Sequence, residues 1–182
     1  MGLDMYLTKK TYVQNWDFME PKDRTTVTIE KNGEPIKGIN LNKIKYVEEE
    51  VMYWRKANQI HNWFVQNVQN GDDNCGTYYL DSEQLGELRD LCGQVLEVLN
   101  RAPKKTISIE SGWSGGERTY CDIEVYDCGD ELEDLLPPTS GFFFGSNEID
   151  EWYKENIENT FNLLNEELES DGSGDYYYHS SW

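Results

Sequence analysis

Histidine occurs only twice in the 182 residues, at positions 61 and 179, and proline five times. Nucleophilic catalysis of the Ser–His or Cys–His kind needs a base beside its nucleophile. Neither histidine lies in a recognisable signature, and His61, beside Trp63 and Phe64, is expected to be packed rather than catalytic. The four cysteines, at 75, 92, 121 and 128, contain no C-x-x-C pair. They lack the short ligand spacing of structural zinc motifs, and in a reducing cytoplasm they stay thiols. No apolar run approaches the roughly 18 residues of a membrane span, and the opening MGLDMYLTKK has neither a basic leader nor an apolar stretch after it. A soluble cytoplasmic protein without a membrane segment is expected.

Positive charge is the other shortage. Lys and Arg number 16 against 35 Asp and Glu, a formal charge of −19. The deficit is uneven: residues 1–70 carry ten basic and nine acidic side chains, whereas from position 106 onward only Arg118 and Lys154 face nineteen acids. Such a chain repels nucleic acid and attracts basic surfaces, so direct nucleic-acid binding is not expected. Acidity for solubility alone is the plainer reading. Aromatic residues are plentiful at 13% (six Trp, twelve Tyr, six Phe), which argues for a folded core rather than a disordered acidic chain.

Periodicity predicts an α+β fold over a single domain, 1–182: an antiparallel sheet packed by three amphipathic helices, with a projecting β-ribbon. Alternation from Leu3 to Val13 predicts a first strand. Asn32-Gly33 gives residues 25–39 hairpin chemistry and makes them the projecting ribbon. Helical spacing of Trp54, Ala57, Ile60, His61, Phe64 and Val68, with acids at its start, predicts a helix over 48–69. A short strand at 77–80 leads to Asp81 and Gln84, a capping-box pair, and a second helix over 82–101. Residues 106–126 form a hairpin around Gly112 to Gly116, expected in the main sheet. Ser146-Asn147 is expected to cap a third helix carrying Ile149, Tyr153, Ile157, Phe161, Leu164 and Leu168. Residues 171–175 make a flexible connector, and 176–182 a terminal strand expected to dock beside Phe142-Phe143-Phe144. No repeat of 20 to 50 residues is present.

The candidate binding residues are carboxylates. On the third helix Glu148, Glu151, Glu155, Glu158, Asn162, Glu166 and Glu169 step by three or four, a row about six turns long. Like charges at that spacing destabilise a helix slightly. The row is therefore either tolerated for solubility or kept for a cationic partner. Asp122 and Glu124 alternate with Cys121, Ile123 and Val125, which gives the 106–126 hairpin one acidic face. Asp72-Asp73-Asn74 lacks the register and distal Glu of a calcium loop, and Gly112 to Gly116 lacks the Lys and helix of a phosphate loop. No metal, cofactor or enzymatic activity is expected.

Four blocks carry a resemblance. They are Met1-Gly2-Leu3-Asp4-Met5-Tyr6-Leu7, the run Tyr53-Trp54-Arg55-Lys56-Ala57-Asn58-Gln59-Ile60-His61-Asn62-Trp63-Phe64-Val65, Ser140-Gly141-Phe142-Phe143-Phe144-Gly145, and Tyr177-Tyr178-His179-Ser180-Ser181-Trp182. Together they resemble the recurrent blocks of a family of small phage and prophage proteins. In length and general appearance the chain also resembles a member of that group that acts as an anti-CRISPR protein on type II-A Cas9. The resemblance implies binding of Cas9, with its guide RNA loaded, and a block on target DNA engagement or cleavage. Independently of it, carboxylates placed where phosphates would lie can compete for the basic channels of such a nuclease. Three alternatives stay open. One is a binder or enzyme for a small phosphorylated ligand, using Arg55, Lys56, Asn58 and His61 near a helix start. Another is a housekeeping phage protein whose acidity is only solvation. In the last, aromatic segments make the partner contact. A homodimer is also open.

Overall fold

Two-residue alternation makes the first strand. In β1 (Asp4–Tyr12) the side chains of Met5, Leu7 and Lys9 are buried, while Asp4, Tyr6, Thr8 and Lys10 between them are half covered. That is the pattern of a strand with one dry face. The computed structural model describes residues 2–140, 147–170 and 173–182. After β1 the chain makes a mostly exposed excursion with single 3-10 turns at Pro21–Asp23 and Leu41–Lys43. The expected ribbon at 25–39 contracts there to two two-residue strands, β2 (Glu30–Lys31) and β3 (Glu34–Pro35). Asn32 and Gly33 join them at φ 56° and 80°, the positive values that a tight hairpin turn requires.

The expected helix over 48–69 is two elements. Residues Tyr46–Arg55 form β4 and Asn58–Asn67 form α1, joined through Lys56 at φ 59°. Glu48, Glu49 and Glu50 mimic the acids of a helix start, but Met52 and Trp54 alternate into the core opposite Leu7 and Met5. A bulge between Leu7 and Thr8 absorbs Val51, so that both strands keep their buried faces aligned. Next come β5 (Thr77–Leu80) and α2 (Ser82–Arg101). The Asp81 side chain accepts from Gln84 N, and Gln84 Oε1 accepts from Asp81 N, the reciprocal cap expected from the sequence.

The hairpin β6 (Lys104–Ser114) and β7 (Glu117–Tyr126) is a two-stranded sheet of its own and does not join the main sheet. Only its base is buried, at Val125 and Tyr126. Ile107, Ile109 and Ile123 are half covered, and Trp113 near the tip is 67% exposed. This pair is the long projecting arm of the molecule. A single turn, α3 (Gly129–Leu132), precedes α4 (Glu151–Glu169), and β8 (Asp175–Ser181) closes the chain. The cap of α4 is Asp150, which accepts from Tyr153 N at 2.9 Å, so the helix begins later than the expected cap at Ser146-Asn147. Ser146, Phe142-Phe143-Phe144 and the Asp171-Gly172 part of the connector lie outside the described residues.

The architecture is α+β. The main sheet has strand order β4-β1-β8-β5, with every neighbouring pair antiparallel. One core lies between a face of this sheet and the helices. In it Phe64 of α1 stacks on Tyr178 of β8 at 3.8 Å between ring centroids, and Trp54 Nε1 donates to Thr160 Oγ1 of α4 at 2.8 Å. Helix α2 meets α4 where Gly93 admits the Phe161 ring; a Cβ there would lie 3.1 Å from it. No helix among the described residues is long and apolar enough to cross a membrane.

Candidate functional site: an acidic helix and arm

The structure divides the predicted carboxylates into engaged and free groups. Glu151, at the first turn of α4, accepts from Lys104 Nζ at 2.6 Å and from the Tyr126 hydroxyl at 2.8 Å. These two hydrogen bonds, that of Lys104 first, hold its carboxyl below the usual range. Lys104 also lies 4.9 Å from the Tyr126 ring centroid, and Tyr126 N donates to Ile149 O. Glu151 therefore fastens the root of the arm to the start of α4. Glu158 is partnered by Lys154 at 3.5 Å. Glu148 precedes the helix, half-buried, rather than riding on it. Glu155, Glu166 and Glu169 are exposed, and none has a basic partner among the described residues.

Asp122 and Glu124 are exposed on β7, opposite Ser108 and Thr106. By strand alternation they share the face on which Tyr126 meets Glu151. The acidic face of the arm thus continues outward from the N-terminus of α4. Toward the other end of the helix, roughly 27 Å away at 1.5 Å per residue, Glu166 lines a groove with Glu49, Glu50, Val51 and Leu163. The sequence-predicted residues consequently form two groups, one at each end of α4, rather than one uniform row. Negative charge at a helix C-terminus opposes the helix dipole, and the last turn of α4 has no basic residue.

Glu167 is the exception on that turn. Its Oε1 accepts from Lys9 Nζ at 2.6 Å and from the Tyr176 hydroxyl at 2.8 Å. The Glu167 hydrogen bond raises the Lys9 pKa against the opposing effect of burial. This carboxylate locks α4 to β1 and β8 and is not free for a partner. Sequence spacing gave no sign of it, because Lys9 falls at an inward position of β1 where an apolar residue is the norm.

Among the other candidates, His61 is buried in α1. Its Nδ1 lies 2.7 Å from the Tyr178 hydroxyl, and burial holds that phenol well above its usual pKa. The Asp73 carboxylate comes within 3.2 Å of His61 Nε2, but off the line a hydrogen bond needs, which leaves this buried nitrogen without an aligned acceptor. Cys92 and Cys128 are buried, Cys75 is half-buried and Cys121 exposed; burial pushes the Cys92 and Cys128 thiols up. No group of three or more His, Cys, Asp or Glu among the described residues is placed to hold a metal ion. Arg55 ends β4 with Nε 3.9 Å from Asp4 Oδ1, and Lys56 sits in the turn before α1. The α1 N-cap, Ala57, supplies no side-chain acceptor. No protein-family model, curated protein or solved structure matches the chain.

Proposed function

We propose that this protein is an anti-CRISPR inhibitor of type II-A Cas9. In this reading it binds the guide-loaded nuclease through the acidic surface of α4 and the arm, and keeps target DNA from engaging or being cut. The observation that carries the reading is the set of exposed carboxylates with no ion-pair partner among the described residues, Glu155, Glu166 and Glu169 on α4 and Asp122 and Glu124 on the arm. Isolated surface acids stay hydrated and cost little, but acids at the C-terminal turn of a helix oppose its dipole, and Lys9 answers only Glu167 there, leaving Glu166 and Glu169 without an ion pair. A basic groove built for a phosphate backbone supplies that compensation, with steering that weakens as salt screens it. The resemblance to the phage family supplies the identity of the partner.

The test is charge reversal at residues that hold nothing else in place. The triple variant Glu155→Lys, Glu166→Lys, Glu169→Lys keeps the Lys104–Glu151 and Lys9–Glu167 bonds. It is expected to lose more than about tenfold in affinity for guide-loaded Cas9 and to restore DNA cleavage. Inhibition that persists unchanged in the folded triple variant sinks the proposal.

A further inference from the structure

The main sheet has two faces, and among the described residues the helices pack on one of them. Met5, Leu7, Met52, Trp54 and Tyr178 point into the core. The intervening residues put aromatic rings on the opposite face of four adjacent strands. Tyr6 of β1 is in register with Tyr53 of β4 on one side and His179 of β8 on the other, at ring-centroid distances of 5.3 and 6.0 Å. In the next row Tyr177 of β8 meets Tyr79 of β5 at 5.9 Å, and Lys10 Nζ lies 4.9 Å from the Tyr177 centroid. Tyr53 and Tyr79 are 45% and 57% exposed. Strand propensity accounts for tyrosine in strands. It does not account for five rings gathered on the face that meets water, a composition found at interface hot spots.

The charges on this face point to the kind of partner. Lys10 pairs with Glu48 at 3.3 Å, and Arg55 stands near Asp4. Asp175, in register with Lys10 and two residues before Tyr177, has no ion-pair partner among the described residues. Rings beside an unpaired carboxylate suit a planar cation: a guanidinium stacks on the ring and donates to the acid at once. Nucleic-acid bases would stack equally well, but their phosphates would meet Asp4, Glu48 and Asp175. A second copy of a chain of charge −19 is disfavoured on the same ground.

We infer that the open face of the main sheet is a second docking surface, which takes arginine side chains of a basic protein partner between the Tyr6, Tyr53, Tyr79 and Tyr177 rings and the Asp175 carboxylate. The choice of Cas9 as partner rests on the reading above; the choice of surface rests on the sheet. Two measurements on the full chain test it. In the first, an oligo-arginine peptide is titrated at moderate salt while tyrosine ring and backbone NMR signals are followed, with oligothymidylate in parallel. Shifts at Tyr6, Tyr53, Tyr79 and Tyr177 are expected, as is a loss of about tenfold in affinity in Tyr53→Ala/Tyr79→Ala and little loss in Tyr53→Phe/Tyr79→Phe. Shifts confined to α4 and the arm, or tighter binding of oligothymidylate on the sheet, overturn the inference.

In the second, guide-loaded Cas9 is captured by the wild type and by both double variants, with circular dichroism confirming the fold. Binding lost in the alanine pair and kept in the phenylalanine pair supports the surface. Binding unchanged in the alanine pair overturns it and leaves the helix reading standing. Failure of the wild type to capture Cas9 overturns the Cas9 reading alone, and the peptide titration then decides the surface.

Discussion

Lys9 shows how one residue can join elements that are far apart in sequence. Its ammonium group is buried at an inward position of β1, where it meets Glu167 and lies 5.5 Å from the Tyr176 ring centroid. Removing one partner of such a pair leaves the other charge poorly solvated. Glu167→Gln is expected to cost about 3 kcal/mol in urea unfolding, the low end for buried pairs because the Glu167 side chain keeps 19% exposure. Because the folded-state pKa of Lys9 is raised above 10.5, the pair contributes its full stability below that pH. The contribution is lost as pH rises through the folded value. Urea midpoints measured up the alkaline limb should therefore fall more steeply in the wild type than in Lys9→Met; parallel limbs would assign the raised pKa no role in stability.

At the scale of elements, the contact of α2 with α4 is set by a glycine. A helix-interior glycine ordinarily costs about 1 kcal/mol relative to alanine. At Gly86 a Cβ would meet nothing within 4 Å, whereas at Gly93 it would press on the Phe161 ring at 3.1 Å. Gly86→Ala should therefore stabilise the protein by about 0.5 to 1 kcal/mol. Gly93→Ala should gain nothing, since displacement of the ring offsets the propensity. Thermal melts of the two variants check this, and equal stabilisation at both positions would mean that Phe161 is not held by the contact.

Over the whole molecule, the charge of −19 is a self-repulsion that folding must overcome. Most ion pairs among the described residues are exposed and worth little each. Raising ionic strength from about 0.01 M to about 0.15 M shortens the screening length from about 30 to about 8 Å. Thermal stability should rise over that range, because long-range repulsion is screened before close pairs are. A melting temperature that falls with salt would show that the pairs, Lys104–Glu151 among them, outweigh the repulsion. Partner binding through either acidic surface should move the other way and weaken with salt.

What the sequence determined by itself was local. Helix α2 with its Asp81–Gln84 cap, the alternation of β1, the aromatic terminal strand β8 and the helical spacing of the α4 carboxylates depend on residues within a turn or two of one another. Tertiary structure decided the rest. Glu48 to Glu50 belong to β4 because Met52 and Trp54 find the buried face of β1, a pairing across more than forty residues that no local window contains. The 104–126 hairpin stands apart because β4, β1, β8 and β5 already complete the sheet over the core. Which carboxylates are free and which are fastened, Glu155 against Glu151 and Glu166 against Glu167, turned on cations supplied by distant strands. Alternation put Tyr6 in a first strand, whereas Tyr53 fell within the expected helix over 48–69 and joins the sheet only because its segment pairs with β1. Only the placement of the helices decided which face of the sheet they would leave open, because side-chain period is a property of the strand and coverage is a property of the packing.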